Sequence, residues 1–151
     1  MLAERNNINE KITQYLCNTF QNTIDINIQN NDGYTALILA ARYNKNIEIS
    51  KYLFNTYKAI IDINTQDKNG NTEIMFAAKS KMHIELIQYL CDIFNDIIDI
   101  NIQNNDGYTV LMFAAQYNNT DFQMLQYLCH TFKNTIDISK QNNNGHNVLM
   151  L

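Results

Sequence analysis

Asn30-Asn31-Asp32-Gly33-Tyr34-Thr35-Ala36-Leu37-Ile38-Leu39-Ala40-Ala41 decides how this chain is built. It opens as a turn, Asn31-Asp32-Gly33, in which glycine reaches backbone angles that other residues resist. Thr35 stands where a helix needs an N-cap, its hydroxyl able to accept from an otherwise unpaired N–H. Leu37 to Ala41 is apolar and helix-favouring, and the paired alanines let a neighbouring helix come close. The same order returns at Gly70, Thr72 and Ile74-Met75-Phe76-Ala77-Ala78, and again at Gly107, Thr109 and Leu111-Met112-Phe113-Ala114-Ala115. Asn147 is a further cap candidate. The chain's 4 glycines, Gly33, Gly70, Gly107 and Gly145, are thus separated by 37, 37 and 38 residues. A period of this length marks an array of supersecondary units, each stacked on the next.

A second helix follows in each unit. Ile84, Ile87, Leu90, Cys91, Phe94, Ile97 and Ile98 fall on one helical stripe. Apolar columns cross the units: Leu16, Leu53, Leu90 and Leu128; Phe20, Tyr57, Phe94 and Phe132; Tyr15, Tyr52, Tyr89 and Tyr127. Recurrence once per unit at helical spacing reads as core between units rather than as a stacking surface for a ligand. Ile61-Asp62-Ile63-Asn64-Thr65-Gln66 alternates like a short extended return. The period divides one domain, 1–151, into a partial repeat at 1–29, repeats at 30–66, 67–103 and 104–141, and the start of a truncated repeat at 142–151.

Composition narrows the function. Hydrophobic residues make up 46% and charged residues 17%, enough apolar mass to fold. A net charge of -4 argues against nucleic-acid or anionic-membrane binding, which asks for a basic surface. No apolar run approaches the ~20 residues of a membrane span, and the start Met1 to Asn7 lacks a signal peptide's apolar core. Cys17, Cys91 and Cys129 are odd in number and widely spaced, so all three read as reduced core residues, not as a disulfide framework or a zinc site. His83, His130 and His146 have no close-spaced ligand partners. Asp25, Asp62, Asp99 and Asp137 recur once per unit and read as structural, and Asp92, Asp96 and Asp99 as a solvated face. No phosphate-binding glycine loop or nucleophile motif occurs. No catalytic residue, metal site, cofactor or small-molecule substrate is expected.

These units resemble the ankyrin repeat, whose pattern runs approximately D-x-x-G-x-T-P-L-H-x-A-A, then a second helix, then A-D-V-N. The matches are Asn30 to Ala41, Ile47-Glu48-Ile49 and Asp62-Ile63-Asn64, and the unit at Asp67 begins with the family's own aspartate. The family proline is replaced by Ala36, Glu73, Val110 or Val148, and the histidine by Ile38, Met75, Met112 or Met150. The period exceeds the family's length of about 33, with about three of the extra residues near the end of the second helix, where they would add nearly one turn. Leu2 to Asn6 aligns with Leu39 to Tyr43, and Val148 to Leu151 with Ala36 to Leu39, so the chain is expected to start late in one first helix and stop early in another.

The resemblance implies a predominantly α solenoid of stacked helix-turn-helix units joined by β-hairpin-like loops. It implies a protein partner held by turn tips and the open side of the first helices. By motif, those positions are Asn31, Asp32, Tyr34, Arg42 and Tyr43; Lys68, Asn69, Asn71, Lys79 and Ser80; and Asn105, Asp106, Tyr108, Gln116 and Tyr117. Tyr34, Tyr43, Tyr108 and Tyr117 are expected to be exposed, and tyrosine and arginine favour interface hot spots. The implied role is a non-catalytic interaction scaffold in the cytoplasm, or in a host's cytoplasm if the source is a virus or intracellular bacterium. The alternatives are a substrate-recruiting adaptor for an enzyme such as a ubiquitin ligase, or an accessory segment of a larger enzyme or channel.

Overall fold

The side chain that opens each turn holds the turn's own backbone. Asn30 Oδ1 accepts from the amides of Asp32 and Tyr34, both at 2.9 Å. Asp67 serves Asn69 and Asn71 at 2.9 and 2.7 Å, Asn104 serves Asp106 and Tyr108 at 3.1 and 2.8 Å, and Asn142 serves Asn144 and His146 at 3.0 Å. The main chain then closes the loop, with Gly33 N donating to Asn30 O at 2.9 Å and Asn30 N to Tyr34 O at 3.0 Å. Gly33 sits at φ +81°, and a Cβ there would stand 2.6 Å from Lys68 N. Left-handed backbone and the approach of the next hairpin both require glycine here.

The computed structural model describes residues 2–43, 47–79, 84–117 and 122–151, with side chains from residue 10 onward. Its helices are α1 (Leu2–Phe20), α2 (Ala36–Tyr43), α3 (Glu48–Tyr57), α4 (Glu73–Lys79), α5 (Ile84–Phe94), α6 (Val110–Tyr117) and α7 (Gln123–Thr131), followed by a 3₁₀ turn at Val148–Met150. Among the described residues there is no strand. Helix α2 packs on α4, α4 on α6 and α6 on the 3₁₀ turn, forming an inner layer; α1, α3, α5 and α7 follow one another in an outer layer. Thr35 Oγ1 caps α2 by accepting from Ile38 N at 3.1 Å, and Thr109 caps α6 from Met112 N at 3.3 Å. Thr72 breaks the rule: its N–H goes to Met75 Sδ at 3.5 Å, and its hydroxyl is buried without a partner. Asn147 Oδ1 accepts from Leu149 N at 3.0 Å.

The apolar seam runs between units. Leu53, Leu90 and Leu128 are buried, as are Tyr57, Phe94 and Phe132, all in one core cluster that runs through the units. Burial stabilises by ~25 cal/mol per Å², and the alanine pairs let the inner helices approach. The first members of the columns depart from expectation: Tyr15, Leu16 and Phe20 are 67, 45 and 49% exposed, because no earlier unit covers α1 among the described residues. The break expected between a first-helix remnant and a second helix near the N-terminus is also missing. Helix α1 runs unbroken from Leu2 to Phe20, and no glycine or proline interrupts it.

The inserted residues do not lengthen the outer helices. α3 stops at Tyr57, and Ile60 N and Ile61 N fold back onto Tyr57 O at 2.9 and 3.2 Å. Ile61 and Ile98 enter the core, while Ile60 and Ile97 are each 54% exposed, so Ile97 leaves the apolar stripe. The return is bent rather than extended. Asp62 Oδ1 accepts from Asn64 N at 3.1 Å, and Thr65 N reaches Asp62 O at 3.3 Å. Asp25, Asp99 and Asp137 make the same side-chain turn, as their recurrence implied.

Polar side chains join unit to unit beside the apolar seam. Asn27 bridges Ile60 O (2.6 Å) and Asp62 N (3.0 Å); Asn64 bridges Ile97 O (2.7 Å) and Asp99 N (3.0 Å); Asn101 bridges Thr135 O and Asp137 N, both at 2.8 Å. Gln29, Gln66 and Gln103 form a second ladder, each donating to the carbonyl of the glycine four residues on and to the next glutamine's carbonyl. On the outer layer, Tyr52, Tyr89 and Tyr127 donate to carbonyls of the preceding helix, Gln14, Lys51 and Gln88, at 3.4, 3.1 and 3.4 Å. The tyrosine column is therefore half core and half hydrogen-bonded seam.

Candidate partner-binding surface

Hairpin tips line up because each is hydrogen-bonded to the last. Lys68 N donates to Asp32 O at 3.1 Å, Asn105 N to Asn69 O at 2.9 Å and Asn143 N to Asp106 O at 3.0 Å. Asn105 Nδ2 and Asn143 Nδ2 add bonds to Lys68 O and Asn105 O, each at 2.9 Å. The tips thus present Asn31, Asp32, Lys68, Asn69, Asn105 and Asp106 as exposed side chains along one edge. Asn143 and Asn144 extend that edge at the fourth hairpin and were not among the expected positions.

The open side of the inner helices carries cations laid on aromatic rings. The Arg42 guanidinium lies 5.0 Å from the Tyr34 ring centroid, 5.1 Å from Tyr43 and 5.3 Å from Phe76, and it donates to the Tyr34 hydroxyl. One unit on, Lys79 Nζ lies 4.1 Å from the Phe113 centroid and 5.5 Å from Phe76. Tyr108 stacks on Phe113 at 5.0 Å and 15°, and Tyr117 adjoins the same ring at 6.2 Å. Such contacts hold a cation by the ring quadrupole. Phe76 and Phe113 supply these platforms. The sequence placed them in an apolar helical run; the available signal was the change from Leu39 to phenylalanine at one register position.

Several expectations need correction. Tyr43 and Tyr117 are exposed, at 66 and 42%. Tyr34 and Tyr108 are only partly exposed, since each packs on the phenylalanine of an inner helix, Phe76 and Phe113. Asn71 is buried: its Nδ2 reaches both Asp67 carboxylate oxygens at 3.4 Å, and its Oδ1 accepts from Asn104 Nδ2 and Lys79 Nζ at 3.0 Å. Asparagine, shorter than the tyrosines at its register, turns inward and becomes a bracket between units. Arg42 and Gln116 are exposed and Lys79 is half-buried. Ser80 and His83 lie outside the described residues.

Loss of water lowers the Lys79 pKa from its ordinary 10.5, with Arg42 acting the same way and Asp67 and Asp106 opposing it. A groove of about 410 Å³ opens beside this ammonium, walled by Asn71, Tyr108, Phe113, Gln116 and Tyr117. Among the described residues no three His, Cys, Asp or Glu side chains are grouped to hold a metal ion, and no helix is long and apolar enough to cross a membrane. The surface offers hydrogen bonds, ring contacts and charge pairing.

Compared with known families, the chain matches ankyrin repeats (three copies) over residues 1–101 and 75–151. No curated protein matches it.

Proposed function

Because the chain belongs to the ankyrin-repeat family, whose members are generally protein-interaction modules and typically non-catalytic, we propose that it is a non-catalytic scaffold that grips one protein partner. The grip uses the hairpin edge and the open side of α2, α4 and α6. The observation that carries this reading is the row Arg42, Tyr43, Lys79 and Tyr117. Arg42, Tyr43 and Tyr117 are exposed and Lys79 is half-buried; the two cations lie over rings of the next unit and still reach the surface. Rigid aromatic and cationic side chains give contact area at small ordering cost. Asn31, Asp32, Lys68, Asn69, Asn105 and Asp106 form the polar rim, and Gln116 lies between rim and row. The setting is the cytoplasm, where the free thiols of Cys17, Cys91 and Cys129 are kept reduced.

A photo-crosslinking amino acid placed at Tyr43, at Tyr117 or at Gln126 on the outer layer tests the face. Capture of one cell-extract protein from the first two positions and not from Gln126 is expected. Capture confined to Gln126, or equal from all three, would refute the assignment.

A further inference from the structure

Lys79 is a half-buried cation with no ion-pair partner among the described residues, though Asp67 and Asp106 act on it from farther off. Its ammonium is held by Asn71 Oδ1 at 3.0 Å and by the Phe113 face at 4.1 Å. Among the described residues no carboxylate lies within ion-pair distance of it. An ammonium has three donors, so donors remain for an incoming acceptor. The groove beside it is lined by Phe113, its stacked tyrosine and carboxamides that include Asn69 and Gln116. Every part of that lining either donates hydrogen bonds or offers a ring, except Asp106.

Resting on the scaffold reading above, we propose that this groove takes a single aspartate or glutamate side chain of the partner, seated on Lys79 Nζ. An anion restores what burial removes from this lysine: the loss of water that lowers its pKa is offset when a carboxylate arrives, and pairing strengthens as the site dries. Charge-assisted bonds are shorter and stronger than neutral ones. The charge count selects a monoanion. Among the described residues Lys79 is the one cation that lines the groove, and Asp106, which also lines it, repels added negative charge, so a singly charged carboxylate is favoured over a phosphoryl group. The partner is therefore an acidic peptide segment whose acid is flanked by residues able to lie on Tyr108 and Tyr117.

Random dodecamer peptides displayed on phage and selected against the wild-type chain, Lys79→Gln and Lys79→Arg test this. The wild-type and Lys79→Arg pools are expected to fix Asp or Glu at one position, and the Lys79→Gln pool to lose it. Neutralising either Lys79 or that peptide acid should weaken binding about tenfold or more, with little further loss when both are changed. Circular dichroism of each variant reports whether the fold is kept. A wild-type pool without a fixed acid, a peptide affinity indifferent to Lys79, or tighter binding of a phosphoserine version would overturn the inference and leave the scaffold reading in place. Peptides that cross-link only to the outer layer would sink both.

Discussion

Glu73 should make the array less stable as pH rises. It occupies the first position of α4, where the other units carry Ala36, Val110 and Val148. The residue is 3% exposed, its Oε1 has no hydrogen-bond partner, and burial raises its pKa well above the ordinary 4.5. A carboxyl with a raised folded-state pKa keeps its full contribution below about pH 4.5. As pH climbs from there to the folded-state pKa, the folded chain holds the proton longer than the unfolded one. Stability then falls by about 1.4 kcal/mol per pH unit until the folded form also ionises. Glu73→Gln removes that slope while leaving an amide in the same place. Glu73→Val, the residue that Val110 supplies one unit on, also removes the orphaned polar atom, worth about 1–3 kcal/mol. Urea unfolding followed by circular dichroism from pH 4.5 to 8 reads the difference, since the other carboxylates are common to all three proteins. Wild type and Glu73→Gln should converge near pH 4.5 and separate steadily above it, with Glu73→Val the most stable at pH 7. Parallel stability curves for wild type and Glu73→Gln would refute the account of a desolvated carboxyl.

Three further outcomes are expected. Gly33→Ala meets both a φ of +81° and Lys68 N at 2.6 Å, whereas Gly145→Ala, at φ +77°, meets nothing within 4 Å; the first should cost about 1–3 kcal/mol more than the second in urea midpoint analysis. Asn64→Ala cuts the bridge to Ile97 O and Asp99 N, and should cost about 1–2 kcal/mol with faster amide exchange at Asp99. Cys129, expected in the core, is instead exposed, while Cys17 and Cys91 are buried; loss of water raises the pKa of the Cys129 thiol, and burial pushes the Cys91 thiol up to about 12; a thiol reagent at pH 8 should label Cys129 first and the other two only on unfolding.

What could be read from the residues was whatever each unit repeats for itself. The glycine turns, the caps at Thr35 and Thr109 and the buried Leu53, Leu90 and Leu128 all follow from local patterns. What could not be read was partnership across units. Asn64 and Gln66 recur as plainly as Leu53, but recurrence does not say that an amide's donor meets one neighbouring carbonyl and its acceptor an amide two residues on. Thr72 looked like its counterparts, yet Met75 takes its N–H. Asn71 aligned with Tyr34 and Tyr108, which were expected to be exposed, and lies inside because it is short enough to reach Asp67. At the candidate surface the hairpin tips and Arg42, Tyr43 and Tyr117 were legible by motif. Lys79 was named for its position, but its seat on Phe113 depends on a contact between helices of different units.

Among the described residues the carboxamide rungs lie in the returns and hairpins. Asn101 and Gln103 find Thr135 and Gln141 at offsets of 34 and 38 residues, just as Asn64 and Gln66 find Ile97 and Gln103 at 33 and 37. By sequence the extra residue of the longer step falls within 118–121, and the rungs that span this step keep their partners. Stitching therefore tolerates edits of length at the helix junction. Descendants of such a gene can duplicate, drop or stretch a module there without re-tailoring its joints, so reach can evolve separately from grip.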